Sequence, residues 1–147
     1  MFSKMGRTVK KYRQGNIAAA FGTDLWMAGA VNMPSLLLKY YKLMNISDSE
    51  MMTLIQIFRY CCQEKELHPS TEALAECLSA TPQEIEKNIK SLFEKKVLVE
   101  TLYYDVSIDA VITGYDFEPL FEKLSDYWAC CRAKEIEKAG PKLEGHR

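Results

Sequence analysis

Nowhere in these 147 residues is there an unbroken run of about eighteen apolar side chains, so no segment is a candidate membrane-spanning helix. The N-terminus has no continuous apolar stretch of about 7–15 residues closed by a small-residue cleavage site, which argues against a secretory signal and predicts a cytoplasmic protein. Histidine is scarce, with only His68 beside Pro69 and His146 near the end. There is no phosphate-cradling glycine loop, no dinucleotide-binding glycine motif and no nucleophile elbow. The glutamates fall at helical spacings that place them on solvated faces rather than in convergent acid–base pairs. No catalytic site and no cofactor are therefore expected.

Cysteine is present but not in a chemical pattern. Cys61, Cys62, Cys77, Cys130 and Cys131 make an odd count with two adjacent pairs, which is no disulfide framework. Adjacent side chains on a helix diverge by about 100°. Structural zinc uses two cysteines separated by two to four residues, a spacing that is missing here. Reduced thiols packed in a core are expected, and a metal site or redox switch is disfavoured.

Charge of one sign is missing from two regions. Lys4, Arg7, Lys10, Lys11 and Arg13 give the first 13 residues a charge of +5, and the first acid is Asp24. With a net charge of −1, the rest of the chain carries −6. From Val97 to Glu122 there is no lysine or arginine, while Glu100, Asp105, Asp109, Asp116, Glu118 and Glu122 contribute −6.

Length, 48% hydrophobic and 27% charged residues describe one globular domain, with or without tails. Residues 1–27 read as a basic arm plus an apolar segment, 28–138 as the domain, and 139–147, with Gly140-Pro141, as a frayed tail. Gly22 and Gly29 argue against a long helix in the segment from Ala18 to Pro34. Pro34 favours extended geometry before it, so residues 28–33 are read as strand-like. A first helix follows over 35–43, its apolar side formed by Leu36, Leu37, Tyr40 and Tyr41.

Ser47-Asp48-Ser49-Glu50 is a capping box opening a helix over 48–64. Met51, Leu54, Ile55, Phe58, Cys61 and Cys62 recur at three- and four-residue steps as its buried stripe. A loop over 65–69 leads to a short helix over 71–78, with Leu74, Cys77 and Leu78 inward. Thr81-Pro82-Gln83-Glu84 combines a second capping box with proline in the first turn, starting a helix to about Lys96 that buries Ile85, Ile89, Leu92 and Phe93. The period then changes: Val97 to Tyr104 and Val106 to Ile112 read as a β-hairpin, with Asp105 and Asp109 near its bend. Asp116 is placed as the cap of a last helix over 117–138, with Phe117, Leu120, Phe121, Leu124, Tyr127, Trp128 and Cys131 on its apolar face. Short helix, tight turn and longer helix form a helix-turn-helix, and the hairpin makes a wing. The fold class is mainly α (α+β), a winged helix-turn-helix with additional N-terminal and C-terminal helices.

Three stretches resemble the N-terminal domain of the DnaD family of replication-initiation and primosome proteins. They are Met33-Pro34-Ser35-Leu36-Leu37-Leu38-Lys39-Tyr40-Tyr41-Lys42 with the helix start after Ile46, His68-Pro69-Ser70-Thr71 through Phe93-Glu94-Lys95-Lys96, and Tyr115-Asp116-Phe117-Glu118-Pro119-Leu120-Phe121-Glu122-Lys123-Leu124. The resemblance spans roughly residues 33–131. It implies a helicase-loading context in which this domain self-associates and contacts replication-initiator or primosome proteins, while a separate C-terminal domain binds single strands. This sequence stops before such a domain, as either a fragment of a longer protein or a naturally short relative would, so weak DNA contact is expected through the arm or through a C-terminal domain absent from these residues.

An acidic wing repels phosphate, whereas a DNA-reading winged helix needs cations there. Protein contacts are therefore favoured over groove binding, and a dimeric winged-helix transcription regulator is the second reading. Self-association is assigned to Leu25, Trp26, Met27, Leu37, Tyr40 and Tyr41, aromatics being enriched at interface hot spots. Partner binding is assigned to His68, Glu86, Lys87 and Lys90, while Lys4, Arg7, Lys10, Lys11 and Arg13 read first as a solvated terminus and, alternatively, as a DNA contact.

Overall fold

Both capping boxes close as their spacing requires. Ser47 Oγ accepts the Glu50 N–H at 3.1 Å while Glu50 Oε1 accepts the Ser47 N–H at 2.8 Å. Thr81 and Glu84 reciprocate in the same way. Each box satisfies two otherwise orphaned backbone donors and fixes where a core helix begins. The computed structural model describes residues 16–145.

The described chain is mainly helical with one two-stranded antiparallel sheet. In order it runs α1 (Ile17–Ala28), α2 (Ser35–Tyr40), α3 (Asp48–Gln63), α4 (Thr71–Cys77), α5 (Pro82–Glu94), β1 (Val99–Asp105), β2 (Ala110–Asp116) and α6 (Glu118–Glu144). The strands pair in the register Val99↔Asp116 through Asp105↔Ala110.

One core joins α2 to α6. Leu37, Met44 and Ile46 meet Met51, Leu54, Ile57 and Tyr60 of α3, Leu74 of α4, and Ile85, Ile89 and Leu92 of α5. Val97, Leu98, Tyr115 and Leu120 close it. The α5 helix stops without glycine: Lys96 takes φ +58°, the Lys96 N–H reaches the Phe93 carbonyl, and the Val97 N–H reaches the Leu92 carbonyl at 3.2 Å. This left-handed end turns the chain directly into the hairpin.

Several sequence expectations need correction. The segment before Pro34 contains a 12-residue helix, α1, and residues 29–34 form no strand. Gly29, at φ +79°, ends that helix instead of preventing it, its N–H bonded to the Trp26 carbonyl. Gly22 lies inside the helix, where an interior glycine costs about 1 kcal/mol but does not forbid it.

The buried stripe of α3 is rotated from the one expected. Met51 and Leu54 are buried, as are Thr53, Ile57 and Tyr60, but Ile55, Phe58 and Cys61 are half-buried and Cys62 is exposed. The helix is covered on two sides, by α4 and α5 on one and by the start of α6 on another, where Phe58 stacks on Phe117 with centroids 3.8 Å apart. Cys77 is exposed and lies 3.2 Å from the Arg59 guanidinium. Asp116 is not the cap residue as expected but lies one position before it: Phe117 is the cap, and Asp116 Oδ1 accepts the Glu118 N–H at 3.0 Å. The last helix continues past 138 to Glu144, with Pro141 in its final turn, and of its expected apolar face only Leu120 is fully buried.

Candidate interaction surfaces

Apolar side chains reach solvent on three elements. The most exposed is α1, which contributes no buried residue, with Phe21, Leu25, Trp26 and Met27 all exposed and Trp26 at 85%. Gly22, Leu25, Trp26, Gly29 and Ala30 line a concavity of about 510 Å³. A hydrogen bond holds this end to α3: Gln63 Nε2 donates to the Ala30 carbonyl at 2.9 Å.

The second exposed surface runs along α6. Phe121, Tyr127 and Trp128 stay at least one-third exposed, as do Ile136 and Leu143. Tyr127 Oη donates to the Leu43 carbonyl at 2.8 Å, tying α6 to the exit of α2, and the Arg132 guanidinium sits over the Trp128 ring.

The third is the hairpin. Leu102, Tyr104 and Val111 share one face through the antiparallel register, and Val106 and Ile108 project from the bend. Asp105 organises that bend by accepting from the Ser107 N–H and hydroxyl, while Asp109 sits at φ +48° and accepts from Tyr104 Oη. The hairpin base is fixed differently. The Tyr115 N–H donates to the Leu67 carbonyl at 2.9 Å, and the His68 ring stacks on Tyr115 at 4.4 Å while Nε2 lies 3.2 Å from Glu100. Burial, with Glu100 nearby, pushes the Tyr115 hydroxyl up to about 12.

The sequence-assigned residues separate on this framework. Leu25, Trp26 and Met27 are together and exposed. Leu37 and Tyr40 are core residues, and Tyr41 is half-buried with its hydroxyl donating to Asp48 at 2.7 Å, so these three do not extend the α1 surface. Glu86, Lys87 and Lys90 are exposed on α5, but His68 is committed to the hairpin base; among the described residues no hydrogen bond or ion pair links it to them. Lys4, Arg7, Lys10, Lys11 and Arg13 lie outside the described residues. Sequence reasoning missed the exposure of Phe21, Leu102, Tyr104 and Val111; strand alternation gave the signal for the last three, because a two-stranded sheet has one face with no partner layer.

Among the described residues no three acidic, histidine or cysteine side chains converge to hold a metal ion. Burial beside Cys62 and Glu66 pushes the Cys61 thiol up to about 11, away from the thiolate that metal or redox chemistry needs. No helix among the described residues is long and apolar enough to cross a membrane.

Helices around a single core, a hairpin following α5 and apolar surface left outside that core define a mainly helical domain with a small antiparallel sheet. The DnaD N-terminal domain pattern matches residues 33–135, and the chain belongs to that family. No curated protein sequence matches the chain. Among solved structures, the crystal structure of the N-terminal domain of DnaD protein from Geobacillus kaustophilus HTA426 is similar with a TM-score of 0.65 and 22% identity, over 86% of this chain and 99% of that one. At that identity the likeness establishes the fold.

Proposed function

We propose that the chain is an oligomerising, partner-binding winged helix-turn-helix module of a DnaD-like replication-initiation protein, acting in helicase loading. In this reading α4, the turn over 78–81 and α5 form the helix-turn-helix, and β1 and β2 form the wing. Family membership supports the replication context.

The observation that carries oligomerisation is α1. A 12-residue helix with no buried residue is at the length where isolated helices are marginal in water, below about 12–15 residues. Tertiary or quaternary cover for Phe21, Leu25, Trp26 and Met27 resolves this, and a second copy supplies it symmetrically. Partner recognition falls to the exposed α5 positions Glu86, Lys87 and Lys90. The acid-only stretch from Val97 to Glu122 counts against a groove-binding regulator, since phosphate contact needs cations.

Light scattering tests the assignment. The full chain is expected to form dimers or larger species at micromolar concentration, and Trp26→Asp to be monomeric with its core folded, the circular dichroism spectrum losing no more than the helical signal of α1. A wild-type chain that stays monomeric at high micromolar concentration would sink the reading.

A further inference from the structure

A groove of about 650 Å³ runs between the hairpin base and the first turns of α6. Its apolar wall is aromatic, made by Tyr103, Phe117 and Phe121, and its rim is acidic, with Glu118, Glu122 and Asp126. These three carboxylates sit at four-residue steps on one helix edge, where like charges destabilise each other. Among the described residues none of them has an ion-pair partner. Lys123, the cation between them in sequence, is turned away and donates to the Lys95 carbonyl. Asp116 is likewise spent on the Glu118 N–H. The groove therefore offers ring faces and unneutralised carboxylates, a combination that suits lysine and arginine interleaved with apolar side chains.

The sequence contains one segment of that composition. Residues 1–13 carry Lys4, Arg7, Lys10, Lys11 and Arg13 with no acid, with Phe2 ahead of them and Met5, Val9 and Tyr12 between them. Fifteen residues precede Asn16, enough to span up to about 50 Å when extended. The following helix, α1, is about 18 Å long at 1.5 Å per residue. Its far end is anchored at Gln63 of α3, only about 7–8 Å along that helix from Phe58, whose ring stacks on the groove residue Phe117. Reach is not limiting.

We propose that the groove between the hairpin base and α6 is the docking site for the basic N-terminal arm of the same chain. The five arm cations neutralise the Glu118–Glu122–Asp126 edge, and an arm aromatic packs against Phe121. This inference is independent of the oligomerisation reading, because it needs no second copy and no part of the α1 surface. It also makes the groove a competitor of nucleic-acid phosphate for the same cations.

Tryptic cleavage of the intact full chain after the arm lysines and arginines, followed by mass spectrometry at low salt, tests this. Cleavage follows the open population, so an arm docked two-thirds of the time is cut about threefold more slowly than a free one. The double substitution Glu122→Lys/Asp126→Lys, at exposed positions, is expected to remove that protection, and Glu86→Lys on α5 to leave it intact. Equal cleavage of wild type and the double variant overturns the proposal, as does an equal loss of protection in Glu86→Lys. Protection that rises with protein concentration also overturns it, since the occupant is then another copy's arm. Proton cross-relaxation between Phe2 or Tyr12 and the Tyr103 or Phe121 rings in the unsubstituted chain gives a second reading; its absence at low salt counts against docking.

Discussion

Lys95 Nζ lies 2.7 Å from Glu50 Oε1, so one ion pair joins the end of α5 to the capping box that begins α3. The Glu50 side chain is 5% exposed and that of Lys95 25%. The neighbouring bonds from Asn88 Nδ2 to Ser49 Oγ and Thr53 Oγ1 run across the same two helices. This polar seam sets the angle at which α5 presents its outer face.

Acid stability should depend on that seam. Burial alone would raise the Glu50 carboxyl, but hydrogen bonds from Lys95, Ser91 and Ser47 hold it at about 2, below its ordinary 4.5. A carboxyl depressed in the folded state gives stability that is complete above its unfolded value and lost as pH falls through the folded one. Denaturant unfolding from pH 5 down to pH 2 should lose up to about 2–3 kcal/mol from this group. Glu50→Gln should flatten that part of the profile; a wild-type-like profile in the variant would assign the loss to other carboxylates.

Gly114→Ala should loosen the hairpin. A Cβ at this position would stand 2.7 Å from Leu67 Cβ and 3.0 Å from two Tyr103 ring carbons, none of them the free end of a flexible chain. The neighbouring Tyr115 N–H to Leu67 carbonyl bond limits any retreat of the loop. Thermal unfolding is expected to show about 1–3 kcal/mol of destabilisation, the usual cost of overpacking.

His68 and the α5 face should part company under alanine substitution. Removing the ring stacked on Tyr115 is expected to cost about 0.5–1.5 kcal/mol of stability. Alanines at Glu86, Lys87 and Lys90 should stay within about 0.5 kcal/mol of wild type, as exposed sites do. If the α5 variants lose a protein partner while keeping their melting temperature, recognition lies there. Partner loss in His68→Ala alone would move it to the hairpin base.

DNA affinity, measured across salt concentrations, should reside in the arm. Five cations set a ceiling of about 4.5 on the duplex salt slope, at about 0.9 per neutralised phosphate. Deleting residues 1–13 should leave no more than non-specific affinity of about 10⁻⁴–10⁻⁶ M. Sequence-selective binding by the truncated chain would restore the regulator reading.

The core helices were legible because their signals are local. Ser47 with Glu50, and Thr81 with Glu84, mark helix starts by spacing alone, and Ile85, Ile89 and Leu92 state the buried side of α5. The hairpin was legible from its change of period. The α1 helix was not, because Gly22 and Gly29 carry the composition of a helix breaker, whereas a glycine just past a helix end is a stop signal. The facing of α3 was hidden for another reason: Ile55, Phe58, Ile57 and Tyr60 are all apolar, and only the positions of α4, α5 and α6 decide which are fully covered. For the surfaces, composition grouped Trp26 with Leu37 and Tyr40, and could not tell that the first is exposed while the other two lie in the core.

Because α1 shares no buried side chain with the rest of the chain, its backbone ladder can open while α3, α5 and the hairpin stay closed. Amide protons from Ala20 to Ala28 should then exchange with solvent deuterium far faster than those of α3 in dilute protein. Any slowing at those amides as concentration rises reads the covering of α1 directly, at single-residue resolution, with no contribution from global unfolding.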